Sequence, residues 1–230
     1  MNERTRQYAF VALLVAGIIW LAWSRGSLGG EEVLLFSVLV PSVILHEVSH
    51  GAVALVFGDD TAKQAGRLTL NPLAHIDPLW TIILPALMIL SSGAAIGMAK
   101  PVPVNPRRMR RPRDHGLIVA LAGPATNLVL AALATVAFRV AAPDPFGDVA
   151  EVLLMIGFLN VILAVFNLLP IPPLDGSALI ERVLPVRWLT PYLELRRWSF
   201  LILFALFFIF TGVFGRIVEP AIRLWERTLA

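Results

Sequence analysis

"ILHEVSHGAV", residues 44–53, decides how this chain is read. It lies inside a run of mostly apolar residues, 33–57, and about 20 such residues are enough to cross a bilayer as one helix. Two histidines and a glutamate do not belong there without a reason. An ionisable side chain at the centre of the hydrocarbon costs at least about 2.5 kcal/mol on insertion scales. The spacing supplies the reason. His46 and His50 are one turn apart, so both imidazoles lie on one helix face and can reach one metal ion. Glu47 follows the first histidine, as in the H-E-x-x-H pattern, where the glutamate is a general base for water activated at zinc. The bland alternative is a packed histidine pair with a buried glutamate partner. Three ionisable groups clustered in hydrocarbon point to function instead.

The rest of the composition agrees with a membrane setting. The chain has 230 residues, 57% of them hydrophobic and only 15% charged, with a mean hydropathy of +0.77. Soluble domains carry about a quarter charged residues. The reading is an all-α polytopic membrane protein, one domain over 1–230, with about five to six transmembrane helices. Candidate spans are 8–23, 33–57, 79–99, 116–138, 149–169 and 199–214. Residues 1–30 read as a retained transmembrane anchor, because no A-x-A-like cleavage site follows the apolar run. The catalytic core is placed at about 33–185. Residues 186–230 read as an interfacial segment, a further helix and a tail, which is either amphipathic or a polar terminus. The absence of cysteine excludes disulfides, thiolate catalysis and zinc–cysteine sites.

Charge placement sets the orientation. Lys and Arg cluster at Arg4 and Arg6, at Lys100 and 107–113, and at Arg182, Arg187, Arg196 and Arg197. With a cytoplasmic N-terminus and every candidate crossing, the last two clusters fall outside, against the positive-inside rule. A re-entrant 79–99 removes the conflict, and Pro85, the Ser91-Ser92-Gly93 break and Gly97 favour it. The N-terminus and the active site are then both toward the cytoplasm. The 107–113 arginines read as a headgroup anchor, and nucleic-acid binding is not expected.

Zinc needs a third protein ligand and an open position. No glutamate occurs between Glu47 and Glu151, so a glutamate on the next helix cannot serve, and Val53 and Val56 occupy the positions of the longer H-E-x-x-H-x-x-G-x-x-H pattern. Among the aspartates, Asp175 stands out. An apolar run reaches Asn167, then Pro170, Pro172 and Pro173 end it before Leu174-Asp175-Gly176. Unwound backbone at membrane depth implies a cavity, and an aspartate there is placed to bind a cation.

At this point the chain resembles the site-2 proteases, zinc metalloproteases that cleave within membranes. His46–His50 matches their H-E-x-x-H. Asn167-Leu168-Leu169-Pro170-Ile171-Pro172-Pro173-Leu174-Asp175-Gly176 matches their N-x-x-P-x-x-P-L/M-D-G, and Gly123-Pro124-Ala125-Thr126-Asn127 their G-P-x-x-N. "GRLTLNPLAHIDPL" and "AKPVPVNPRRMR" look like the compact bacterial branch without PDZ or paired regulatory domains, for which this chain has no room. The resemblance implies one zinc per chain held by His46, His50 and Asp175, with Glu47 as general base. It also implies a polar role for Asn167 near the scissile carbonyl. The implied substrate is a transmembrane protein, and the implied location a bacterial inner membrane.

Substrate contacts are expected from Arg67, Leu68, Thr69 and Leu70, read as a short membrane-embedded β element after the catalytic helix. Its edge could pair with an unwound substrate. Asn127 joins that group, and so does His75, for which a hydrogen-bonded loop is the simpler account. Asn160 is expected to bond between helices. The rival functions are a membrane metal transporter, and a non-proteolytic adaptor that binds membrane helices. Oligomeric state is not legible.

Overall fold

The computed structural model describes residues 29–76, 100–141, 147–198 and 211–229, with a few single positions besides. In chain order these form α1 (Gly30–Val56), the one-turn α2 (Thr61–Gln64), α3 (Pro112–Ala141), α4 (Asp148–Asn167), α5 (Ser177–Val183), α6 (Val186–Glu194) and α7 (Thr211–Arg227). Short 3-10 turns lie at Pro72–His75, Pro106–Arg108 and Leu195–Trp198. The apolar runs at 33–57, 116–138 and 149–169 are therefore helices. With 27, 30 and 20 residues, α1, α3 and α4 are each long and apolar enough to cross a membrane. The candidate spans 8–23 and 79–99, most of 199–214, and with them the re-entrant segment, lie outside the described residues.

α1, α3 and α4 pack against one another, and α7 lies along α4. The packing is inverted relative to a soluble bundle. Many buried positions are small or polar, among them Ser42, Gly123, Asn127, Ala131, Thr135, Gly157, Asn160 and Ala164, beside larger ones such as Ile44 and Leu159. Large apolar side chains face outward instead, among them Phe36 and Val40 on α1, Leu133 and Val140 on α3, and Val149 and Phe158 on α4. In hydrocarbon no hydrophobic force drives helices together. They associate through close approach of small residues and interhelical hydrogen bonds.

α1 begins with Glu31 and Glu32 at the positive end of its dipole, and the Glu32 carboxylate accepts the Gly29 N–H at 2.8 Å. It ends where Gly58, at φ 101°, reverses the chain. The following loop folds back onto α1 because Gly51 has no side chain. A Cβ there would stand 2.5 Å from Leu68 Cδ2 and 2.9 Å from Ala62 Cβ. Asp59 is fully buried at the turn. It accepts the backbone N–H of Thr61 at 3.1 Å and of Asn105 at 2.6 Å, and the Thr61 hydroxyl. Burial pushes its pKa up, but these donors outweigh burial and hold it below the ordinary carboxylate range. Asp59 thus pins the distant segment 100–105 beside the end of α1.

Among the described residues there is no strand, and the expected β element at 67–70 is irregular, with bends at Leu68 and Thr69. Side-chain hydrogen bonds draw the backbone into turns. Thr69 Oγ1 accepts the Asn71 N–H at 3.2 Å, and Asn71 Oδ1 accepts the Leu73 N–H at 3.0 Å, which starts the Pro72–His75 turn. The alternation of Gly66, Leu68 and Leu70 does not make one buried face either: Leu68 packs on α1 while Leu70 is 64% exposed.

The tail expected at 216–230 is helical as far as Arg227, with Val218 buried and Trp225 docked on α3 and α4. Trp225 donates its indole N–H to Thr135 Oγ1 at 2.8 Å. Its ring fills the space over Gly157, where a Cβ would lie 2.2 Å from Trp225 Cζ2. Gly157→Ala is therefore expected to unseat Trp225 and destabilise the protein by about 1–3 kcal/mol, the usual range for overpacking. Thermal unfolding in detergent checks this, and an unchanged midpoint would mean that α7 does not dock there.

Candidate metal centre

The i,i+4 spacing places both histidines of α1 toward α3, with their rings 4.7 Å apart and nearly perpendicular. Opposite them the chain leaves α4 at Asn167 and turns through Pro170, Pro172 and Pro173. Gly176 closes this loop, its N–H bonding Asn167 O at 2.6 Å. Only glycine fits there, since a Cβ would stand 2.1 Å from Leu168 O. The loop carries Asp175 over the histidines.

The result is a tight triangle of ligand atoms. His46 Nε2 is 3.1 Å from His50 Nε2 and 3.1 Å from Asp175 Oδ2, and His50 Nε2 is 3.3 Å from the same oxygen. No ordinary hydrogen-bond partner accompanies the buried Asp175 Oδ2. A tetrahedral zinc with bonds of about 2.0–2.1 Å has ligand–ligand edges of about 3.3–3.4 Å. The triangle fits one face of that tetrahedron, and two imidazoles with a carboxylate are a zinc donor set. Gly123 of α3 leaves the room: a Cβ there would lie 2.5 Å from both Nε2 atoms.

Each histidine is held from behind. His50 Nδ1 lies 2.7 Å from Val119 O. A carbonyl can only accept, so Nδ1 carries the proton and the Nε2 lone pair faces the site. His46 Nδ1 lies 2.6 Å from Asn127 Oδ1. Glu47 is held too: its Oε2 accepts the Val102 N–H at 2.8 Å. Val102 stands between Pro101 and Pro103, which have no N–H to offer.

The structure brings His46, His50 and Asp175 together as expected, with Glu47 beside them. Asn167 is turned back into its own helix, donating Nδ2 to Leu163 O at 2.9 Å. Asn127, expected at the substrate, is fully buried behind His46. Arg67 is buried and donates to Lys100 O at 3.0 Å and Pro101 O at 3.4 Å, which clamps the segment that holds Glu47. His75 is buried in its loop, a ring nitrogen 2.8 Å from Thr69 O, and its carbonyl accepts the Lys100 N–H at 2.9 Å. Leu68 and Thr69 serve the same fold-back, and Leu70 is exposed.

Sequence reasoning missed Val102 and Val119. Both act through the backbone, which no side-chain motif records. The available signals were prolines: those flanking Val102, and Pro124, one turn after Val119, which deprives a neighbouring carbonyl of its helical donor.

Helices of membrane length around a two-histidine, one-aspartate site with an adjacent glutamate define a membrane metalloprotease. The comparisons agree. The model for peptidase family M50 matches residues 34–148 and 140–210. A Bacillus subtilis protein named "putative zinc metalloprotease YwhC" is 39% identical over 178 residues, covering 74% of this chain and 77% of that protein. A Mycolicibacterium smegmatis protein named "putative zinc metalloprotease Rip2" is 34% identical over 201 residues, covering 85% and 71%. No solved structure gives a significant match. The chain belongs to peptidase family M50, the site-2 proteases.

Gly123→Ala tests the site directly. The added methyl group would occupy the space between the two Nε2 atoms, so zinc content should fall from one per chain to near zero. Metal analysis of the purified protein measures it, and retention of stoichiometric zinc would place the metal elsewhere.

Proposed function

We propose that this chain is a zinc-dependent intramembrane endopeptidase that hydrolyses peptide bonds in transmembrane segments of membrane proteins. The observation that carries the proposal is depth. His50 lies inside a membrane-length helix, about 9 Å from its C-terminal end at 1.5 Å per residue. A substrate must therefore present its peptide bond within the bilayer.

His46, His50 and Asp175 would hold the zinc. When bound, it supplies a Lewis acid that activates water and polarises the scissile carbonyl. Glu47 takes the proton from the attacking water and delivers it to the leaving amine. The Val102 N–H occupies one carboxylate oxygen of Glu47 and orients the other. Asn167, where α4 gives way to the Asp175 loop, would meet the substrate carbonyl. To do so it must exchange its bond to Leu163 O for one to substrate.

Orientation follows from the same end of the bundle. Arg113 bonds the carbonyls of Glu181, Arg182 and Leu184 at 2.8–3.0 Å, and Arg182 pairs with Asp114 at 2.7 Å. The basic clusters thus share the end at which α1 and α4 finish, near the metal centre. The positive-inside rule supports a cytoplasmic position for that end, and the bacterial relatives support an inner membrane. A metal transporter would not need a glutamate held beside its transit site.

Glu47→Gln should keep zinc and lose cleavage of a model transmembrane substrate in detergent by about 10²–10⁴-fold, the usual contribution of a general base. Asp175→Asn should lose both zinc and cleavage. Undiminished cleavage by Glu47→Gln would sink the mechanism.

A further inference from the structure

Behind His46 runs a line of buried polar groups that the proposed chemistry does not use. Asn127 Nδ2 donates to Asn160 Oδ1 at 2.7 Å. Asn160 Nδ2 donates to Ser42 Oγ at 2.9 Å and to Ile156 O at 2.9 Å. Ser42 Oγ donates to Val38 O at 2.8 Å. Asn127 and Asn160 are fully buried and Ser42 nearly so. The line joins α4 to α3 and ends on a metal-ligand candidate of α1.

Its polarity is forced at the far end. Ile156 O and Val38 O are helix carbonyls and can only accept. Ile156 O therefore requires the Asn160 nitrogen on its side. The Ser42 hydroxyl gives its proton to Val38 O and must accept from that same nitrogen. Asn160 is left with its oxygen toward Asn127, which must answer with Nδ2. Asn127 then turns Oδ1 to His46, and Nδ1 of His46 must donate. Each step leaves one arrangement, and the last leaves the Nε2 lone pair of His46 free.

We propose that Asn160 is a positioning residue for the metal: acting through Asn127, it fixes the tautomer in which His46 Nε2 can bind zinc. Without Asn160 the Asn127 amide can turn over. It would then offer Nδ2 to His46 and favour the tautomer whose Nε2 carries a proton. Ser42 contributes less, because Ile156 O alone still orients Asn160. The inference rests on the zinc site read above.

The test is zinc affinity, by chelator competition on full-length protein in detergent, with thermal unfolding of the zinc-free protein alongside. Asn160→Leu should weaken zinc binding about 10- to 100-fold, the usual cost of losing a partner behind a metal ligand. Asn160→Asp keeps an oxygen toward Asn127 and, protonated in this apolar setting, a donor toward Ile156 O. It should stay within about threefold of wild type, as should Ser42→Ala. In an Asn127→Ala background, Asn160→Leu should add nothing, since its effect passes through Asn127. Asn160→Ser replaces the leucine variant if that one does not fold, because its side chain is too short to reach Asn127. Wild-type affinity in either, equal losses in the leucine and aspartate variants, or additive losses in the double variant would overturn the proposal. A wild-type protein that binds no zinc would instead overturn the metal-site reading itself.

Discussion

A polar group held in hydrocarbon must be satisfied by protein, and this constraint organises the whole bundle. α1 carries His46, Glu47 and His50 inside a helix long and apolar enough to cross a membrane, where ionisable groups are costly unless protein or a cavity serves them. Partners for them come from α3, from the loop after α4 and from the segments folded back at the bundle's end. Val119 O and Asn127 stand behind the histidines, Val102 behind the glutamate, and the Asp175 loop in front. Remove these partners and the ionisable residues of α1 have no place in a membrane helix.

The same constraint explains why the interior is built of small side chains. Gly123 lets α3 approach within contact of both imidazoles, and Gly157 admits the Trp225 ring. Such approaches leave little apolar area to exchange, so interhelical hydrogen bonds contribute to specificity more than to stability. They average about 0.6 kcal/mol each in a membrane bundle. A hundredfold change in metal affinity corresponds to about 2.7 kcal/mol. With a loss of the size proposed for Asn160, the asparagines behind His46 bear more on metal geometry than on the fold.

What could be read from the sequence was local. The i,i+4 spacing of His46 and His50 needs only one helical turn to become a site. The proline-broken run before Asp175 announces unwound backbone wherever it lies in space. The three long apolar runs became helices within a few residues of their expected bounds. Features that depend on long-range pairing were not legible. That Asn160 bonds between helices was expected, but its partners Asn127 and Ser42, the latter 118 positions away, were not, and nor was the place of Asn127 behind His46 across 81 positions. The β element failed for a related reason. Its alternation was judged alone, whereas the Asn71 turn and the reach of Arg67 to Lys100 O decide the conformation.

The segment 100–105 shows how these effects combine. Its prolines remove donors on either side of Val102, so the remaining N–H is committed to Glu47. Asp59 takes the N–H of Asn105, His75 O takes that of Lys100, and Arg67 holds the carbonyls of Lys100 and Pro101. All of these anchors lie in the fold-back after α1, which Gly51 and Gly58 make possible. The fold-back therefore helps to position the glutamate through Val102, while α3 holds the two histidines through Val119 O and Asn127. The two meet where Met109, just beyond that segment, packs with Ala54 of α1 and Val119 of α3.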